Sequence, residues 1–294
     1  MKSSLVLPRR FTTGFVVVAA LAATGWAVRP LADPVREELS QGEPELRLES
    51  LSDVLGQGVT VGLLGGFRTL VADFLFLKAS LDWENERLPA TIASLRLATT
   101  IDPRSLFFWV NGASMMAYDM SNWRINEEGG FDQVPKARQR EIDRVQAAQG
   151  LAFLEEARRF HPHSPVPYRE MAMIHWIRLK AAAEDEAGVR AEILQAAELY
   201  RLGSEQPGAP YVYARLSAIF LENAGHLREA YEGLVKQYHT LPKAPEDPGY
   251  ARMPRKNPPP SEDEIAAAEA STVLESIRRL EKQLGIPPEK AFQP

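Results

Sequence analysis

Residues 168–175 read YREMAMIH and residues 213–220 read YARLSAIF. Each begins with a tyrosine. Met171 or Leu216 stands three positions on, a small residue (Ala172 or Ser217) follows it, and a large one (His175 or Phe220) comes three after that. Residues 109–116, WVNGASMM, are a looser copy through Trp109, Gly112, Ala113 and Met116, and Leu75, Lys78 and Ala79 are a looser one still. Leu75 and Trp109 lie 34 residues apart. Trp109 and Tyr168 lie 59 apart, one such period with 25 residues inserted, and Tyr168 and Tyr213 lie 45 apart, one period with 11 inserted. The physics behind the pattern is packing. Ala79, Ala113, Ala172 and Ser217 let two helices approach closely, while Trp109, Tyr168 and Tyr213 fill the space to the next pair. A fixed period of this length marks units that bury their faces by stacking on one another.

Working outward, the second helix of each pair has its own signal. Ala98 stands five residues before Pro103 and Ala157 five before Pro162, and Ala196, Tyr200 and Gly203 lead to Pro207. Between about residues 51 and 240 the apolar period is helical. Leu70, Asp73, Phe74, Leu77 and Leu81, for example, recur at three and four residues along one helix face. No stretch alternates with β-branched enrichment, so an all-α body is expected. Residues 122–140 hold a Gly-Gly pair among many charges and read as a loop or insertion. Residues 241–260 contain seven prolines and read as extended chain. Ser261 and Glu264 form an S-x-x-E capping box that opens a helix ending at Gly285, within a segment 261–294 whose helix would cap the last repeat.

The spacing and the terminal prolines are similar to those of the tetratricopeptide repeat family, whose units are 34-residue helix pairs. The resemblance covers roughly residues 67–240 in about four degenerate units. It implies an α-solenoid with a concave face lined by the first helices. The family's groove positions, carried onto this chain, are Trp83, Phe107, Asn111, Tyr118, Arg169, Glu170, Trp176, Tyr211, Arg215 and Glu222. Aromatics and arginines among acceptors suit an extended or helical peptide. The family's basic clamp for a terminal carboxylate is absent, since no Lys/Asn set recurs at these positions.

The amino terminus places the chain. Residues 1–10 are a basic tail, and residues 11–28, FTTGFVVVAALAATGWAV, carry no charge. Eighteen residues at 1.5 Å each nearly span a bilayer core of about 30 Å. Lys2, Arg9 and Arg10 precede the run and mark the cytoplasmic side. A single-pass inner-membrane anchor is therefore expected, with the body periplasmic in a bacterial envelope. The Ala20-Leu21-Ala22 tripeptide admits the other reading, a cleaved signal peptide and a secreted or periplasmic chain. Residues 29–50, broken by Pro30, Pro34 and Pro44, read as a polar linker. Gly58, Gly62 and Gly66 would form a small-residue helix stripe, which points to the alternative of a structural membrane component that oligomerises.

Composition narrows the chemistry. The 294 residues carry a net charge of -5, and the exported part carries -9 because the first 30 residues hold four basic groups and no acidic ones. No nucleic-acid partner is expected of such a chain. It has no cysteine, so disulfides, thiolate zinc sites, iron–sulfur clusters and cysteine nucleophiles are excluded. No phosphate loop, dinucleotide fingerprint, H-E-x-x-H pair or nucleophile elbow appears. The sequence therefore predicts no catalytic residues, no metal and no cofactor. It predicts a scaffold that binds a protein or peptide partner in the cell envelope, against the alternative of an enzyme or enzyme accessory with its site in residues 122–140.

Overall fold

The computed structural model describes residues 67–241 and 261–294. The basic tail, the apolar run 11–28, the linker 29–50, the glycines Gly58, Gly62 and Gly66 and the proline-rich residues 242–260 lie outside the described residues. All regular structure among the described residues is helical, as the apolar period predicts. No helix there is long and apolar enough to cross a membrane. The chain divides into two compact units, Met1–Ser105 and Leu106–Pro294, a boundary that falls within the stretch 51–240.

In the first unit, α1 (Arg68–Glu84) and α2 (Leu88–Ile101) form a pair. The contact edge of α1 is narrow. Ala72 and Ala79 are fully buried, as are Leu95 and Ala98 on α2, so small side chains set the approach. Lys78 Nζ reaches Asp82 at 2.5 Å and Ser94 Oγ at 3.2 Å, fastening the helices at their polar margin. The large apolar residues of α1 occupy the opposite face. Leu70, Phe74, Leu77 and Leu81 are 51, 64, 58 and 60 % exposed, whereas an amphipathic helix normally turns such a face inward.

The second unit begins with α3 (Leu106–Ser114), a π segment π1 (Met115–Asp119) and α4 (Met120–Glu127). It continues with α5 (Lys136–Phe160), α6 (Val166–Ile174) and a second π segment π2 (His175–Leu179). Then follow α7 (Glu186–Ser204), α8 (Val212–Asn223), α9 (Leu227–Thr240) and α10 (Glu262–Leu284). Packing is mainly between neighbours in the chain: α3 and π1 on α5, α5 on α6, α6 on α7, α7 on α8, α8 on α9, and α9 on α10.

The motif residues hold these layers together. Trp109 is buried between Phe153 and Phe160 of α5, with ring centroids 4.6 and 5.8 Å away. Tyr168 and Tyr213 close on Gly203 of α7 from either side. A Cβ at Gly203 would meet Tyr168 Cβ at 3.1 Å and the Tyr213 ring at 3.2 Å, so the glycine is what lets both aromatics sit there. Two helix ends repeat in the same way. Asp102 N–H donates to Ala98 O (2.8 Å) and His161 N–H to Ala157 O (3.0 Å), each just before a proline that cannot extend the helix.

Residues 122–140 are not a single loop. α4 runs on to Glu127 and α5 starts at Lys136. Buried Trp123, Ile125 and Ile142 supply an apolar face hidden among the charges, and only residues 128–135 form a turn. Gln139 pins that turn by donating to Phe131 O (2.8 Å) and Val134 O (2.7 Å). The residues inserted between Trp109 and Tyr168 thus lengthen helices. At the other end the capping box forms as the sequence predicts. Ser261 Oγ accepts from Glu264 N–H at 3.2 Å, and Ser261 N–H donates to the Glu264 carboxylate at 2.9 Å. Gly285 ends α10 with φ +64°, the left-handed conformation that glycine adopts without strain. Ala270, Val273, Ile277 and Leu280 of α10 close over Ala218, Ala230 and Leu234.

Candidate functional site

The sequence places α8, α9 and α10 around an open space. Pro207, Gly208 (φ +70°) and Pro210 end α7 and turn the chain into α8, which leaves Tyr211 at a rim, half exposed. α9 carries Gly233 in mid-helix. No atom lies within 4 Å of where its Cβ would stand, so no neighbour in the fold requires glycine there. α10 begins with Glu262 and Ile265 facing the same space. The result is a groove of ≈ 980 Å³ with Val212, Ala214, Ala218, Leu221 and Ile265 among its apolar lining. That is the upper end of the range for ligand pockets.

Two polar side chains stand in the groove wall. Glu269 is buried on α10 and takes two hydrogen bonds from Arg215 of α8, at 2.7 and 3.1 Å. Gln237 of α9 is 6 % exposed; its Nε2 donates to Tyr211 O at 2.8 Å and lies 3.5 Å from Glu269 Oε1. The Gln237 Oε1 atom is buried and accepts no hydrogen bond. A buried acceptor left without a donor costs about 1–3 kcal/mol. The charge around the groove is acidic: Glu205, Glu229, Glu262 and Glu269 stand against Arg201 and Lys236. Arg201 is already held by Glu198 and Glu205, both at 2.6–2.7 Å.

The residues carried over from the repeat resemblance fall in several places. Tyr211 lines the groove. Arg215 meets Glu269, and Glu222 takes hydrogen bonds from Arg279 (2.6 Å) and Gln283 (3.4 Å), so α10 engages both. Tyr118, Arg169 and Glu170 belong to one electrostatic neighbourhood. Arg169 donates to Glu170, and burial with the added charge of Glu170 pushes the Tyr118 hydroxyl up to about 12, against the opposing pull of Arg178. Burial likewise raises Tyr200 and Tyr213, which lie in the same surroundings. Trp176 packs edge-on against Phe220 at 4.9 Å and carries Lys180 Nζ 3.2 Å over its ring. Phe107 is exposed on α3, Asn111 donates back to Phe107 O at 2.8 Å, and Trp83 lies on α1 in the other unit.

The two π segments form a second polar cluster. Arg178 of π2 donates to Tyr118 O of π1 at 2.6 Å and lies 3.6 Å from Asp143, which also accepts from Ser121. Arg178 thus ties the two π segments together, a kind of turn found often at functional sites. Among the described residues no group of three His, Asp or Glu side chains is placed to hold a metal ion.

Gln237, Glu269 and Gly233 lie outside the positions that the repeat resemblance supplies. Only Gly233 left a signal, a glycine inside a strongly amphipathic helix where alanine would be about 1 kcal/mol better. Comparison of the chain with protein-family models, with curated proteins and with solved structures finds no match in any of the three.

Proposed function

We propose that the protein is a membrane-anchored scaffold of the bacterial envelope, built on tetratricopeptide-like helix pairs, that holds an extended segment of a partner protein between α8, α9 and α10. The observation that carries this reading is the open groove itself, apolar along Val212, Ala214, Ala218, Leu221 and Ile265 and bordered by acidic side chains. The acidic surround favours a segment with a lysine or arginine beside an apolar anchor residue, because rim charges choose among partners and speed their encounter. The uncharged run 11–28 with basic residues before it supports a body held outside the inner membrane.

The test is fluorescence anisotropy of the full-length protein in detergent with an array of labelled extended peptides, basic, neutral and acidic. Basic peptides with one large apolar residue are expected to bind. Ile265→Arg, at an exposed position in the lining, should abolish binding while the circular dichroism spectrum stays the same, and Gln237→Leu, which releases Tyr211 O at the rim, should weaken it. Equal binding of acidic peptides, or binding untouched by both substitutions, would show that this groove is not the recognition site.

A further inference from the structure

The exposed face of α1 has an internal order that the groove does not explain. Phe67, Leu70, Phe74, Leu77 and Leu81 follow one another at spacings of three, four, three and four residues. That is the a/d alternation of two helices wound together. All five side chains are large and exposed. Ala72, Ala79 and Asp82, which pack on α2, lie on the opposite side of the helix. α1 therefore presents two working faces, of which its own hairpin uses one.

We propose that this face is a self-association surface, through which two copies of the chain pair in parallel along Phe67, Leu70, Phe74, Leu77 and Leu81. The flanking charges select the partner and its direction. Asp73 immediately precedes the a-type Phe74, and Lys78 immediately follows the d-type Leu77, so they occupy the g and e positions beside the seam. In a parallel pair a g residue faces the e residue five positions further along the other helix. Asp73 then meets the partner's Lys78, twice by symmetry. In an antiparallel pair g positions face g positions and e positions face e positions, so Asp73 would not meet the partner's Lys78. Lys78 has three donor hydrogens, and Asp82 and Ser94 use two. One is left for the partner's Asp73.

The seam covers two heptads, too short to stand as an isolated coiled coil. α1 is already folded against α2, so pairing does not have to pay for helix formation. A parallel arrangement also brings the amino-terminal ends of the two α1 helices to the same side, which suits the membrane anchor of the proposed function.

The absence of cysteine makes a clean test. Single-cysteine variants of the full-length protein, Leu70→Cys, Phe74→Cys, Leu77→Cys and Leu81→Cys, are oxidised in membranes, with the exposed off-seam positions Thr69→Cys and Thr100→Cys as controls. Disulfide-linked dimer is expected at the four seam positions and little at the controls. Adding Asp73→Lys to Leu77→Cys should remove the dimer, with circular dichroism showing the helices intact. Even crosslinking across all positions, or crosslinks only to a different protein, overturns self-association. Seam crosslinking that survives Asp73→Lys overturns the parallel pairing.

Discussion

Arg215 on α8 and Glu269 on α10 meet through two hydrogen bonds of 2.7 and 3.1 Å across 54 residues of chain. Their side chains are 22 and 10 % exposed, so the pair is screened far less than a surface ion pair. Removing one member leaves a charge in the groove wall with no counterpart. Arg215→Met is expected to lower unfolding stability by about 3 kcal/mol. The double variant Arg215→Met with Glu269→Leu should recover much of that loss, because two apolar side chains need no pairing. Urea denaturation of the two variants and the unaltered chain measures both values. A double variant as unstable as the single one would show that the pair serves α10 by more than charge compensation.

Gly150 and Gly233 both interrupt helices, and the structure separates them. A Cβ at Gly150 would come within 3.0 Å of Ala113 O and of Ala117 Cβ, neither of which is a flexible side-chain end. Gly150→Ala should therefore destabilise, by about 1–3 kcal/mol of overpacking, despite alanine's better helix propensity. Gly233 faces open groove, so Gly233→Ala should stabilise by about 1 kcal/mol. Thermal melts of the two variants should shift in opposite directions.

Glu281 gives a pH dependence with a definite sign. Burial opposes its ionisation, but the Phe292 N–H at 2.5 Å and Arg278 at 2.9 Å outweigh that and hold its carboxyl below the ordinary range. A carboxylate with a lowered folded value contributes stability that is complete above the unfolded value of about 4.3. That contribution is lost as pH falls through the folded value. The carboxyl-terminal turn, whose Phe292 packs on Tyr238 at 5.3 Å, should loosen in the same acid range. Melting temperature against pH should fall less steeply below about pH 4 for Glu281→Gln than for the unaltered chain. Parallel curves would mean that Phe292 is held independently of this charge.

The helix pairs were legible because their signals are local. Ala98 and Ala157 with their following prolines, and Ser261 with Glu264, depend on residues within one or two turns, and each appears where the spacing put it. The groove was not legible for the opposite reason. Gln237 and Glu269 are 32 residues apart, and Tyr211 is 26 from Gln237, so nothing in either neighbourhood announces the meeting. Charge also concealed structure. Residues 122–140 look like loop because Arg, Glu and Asp outnumber the apolar residues, yet Trp123 and Ile125, with Ile142 just beyond the stretch, are enough to seat helices. On α1 the periodic apolar residues identified the helix, but their period could not say which side met α2, because the small residues Ala72 and Ala79 do that work.

Packing mainly between chain neighbours has a consequence for how the second unit is made. Contacts close in sequence need little loop closure, and such chains fold quickly from whatever part is available. The pairs from α3 through α9 can each dock as soon as the next helix has been synthesised. The bond from Arg215 to Glu269 is different, since it waits for a helix that arrives after a long proline-rich stretch. The groove wall is thus completed after the helices α3 through α9 that precede it. A nascent chain would have α3 through α9 docked before the third wall of the groove is in place.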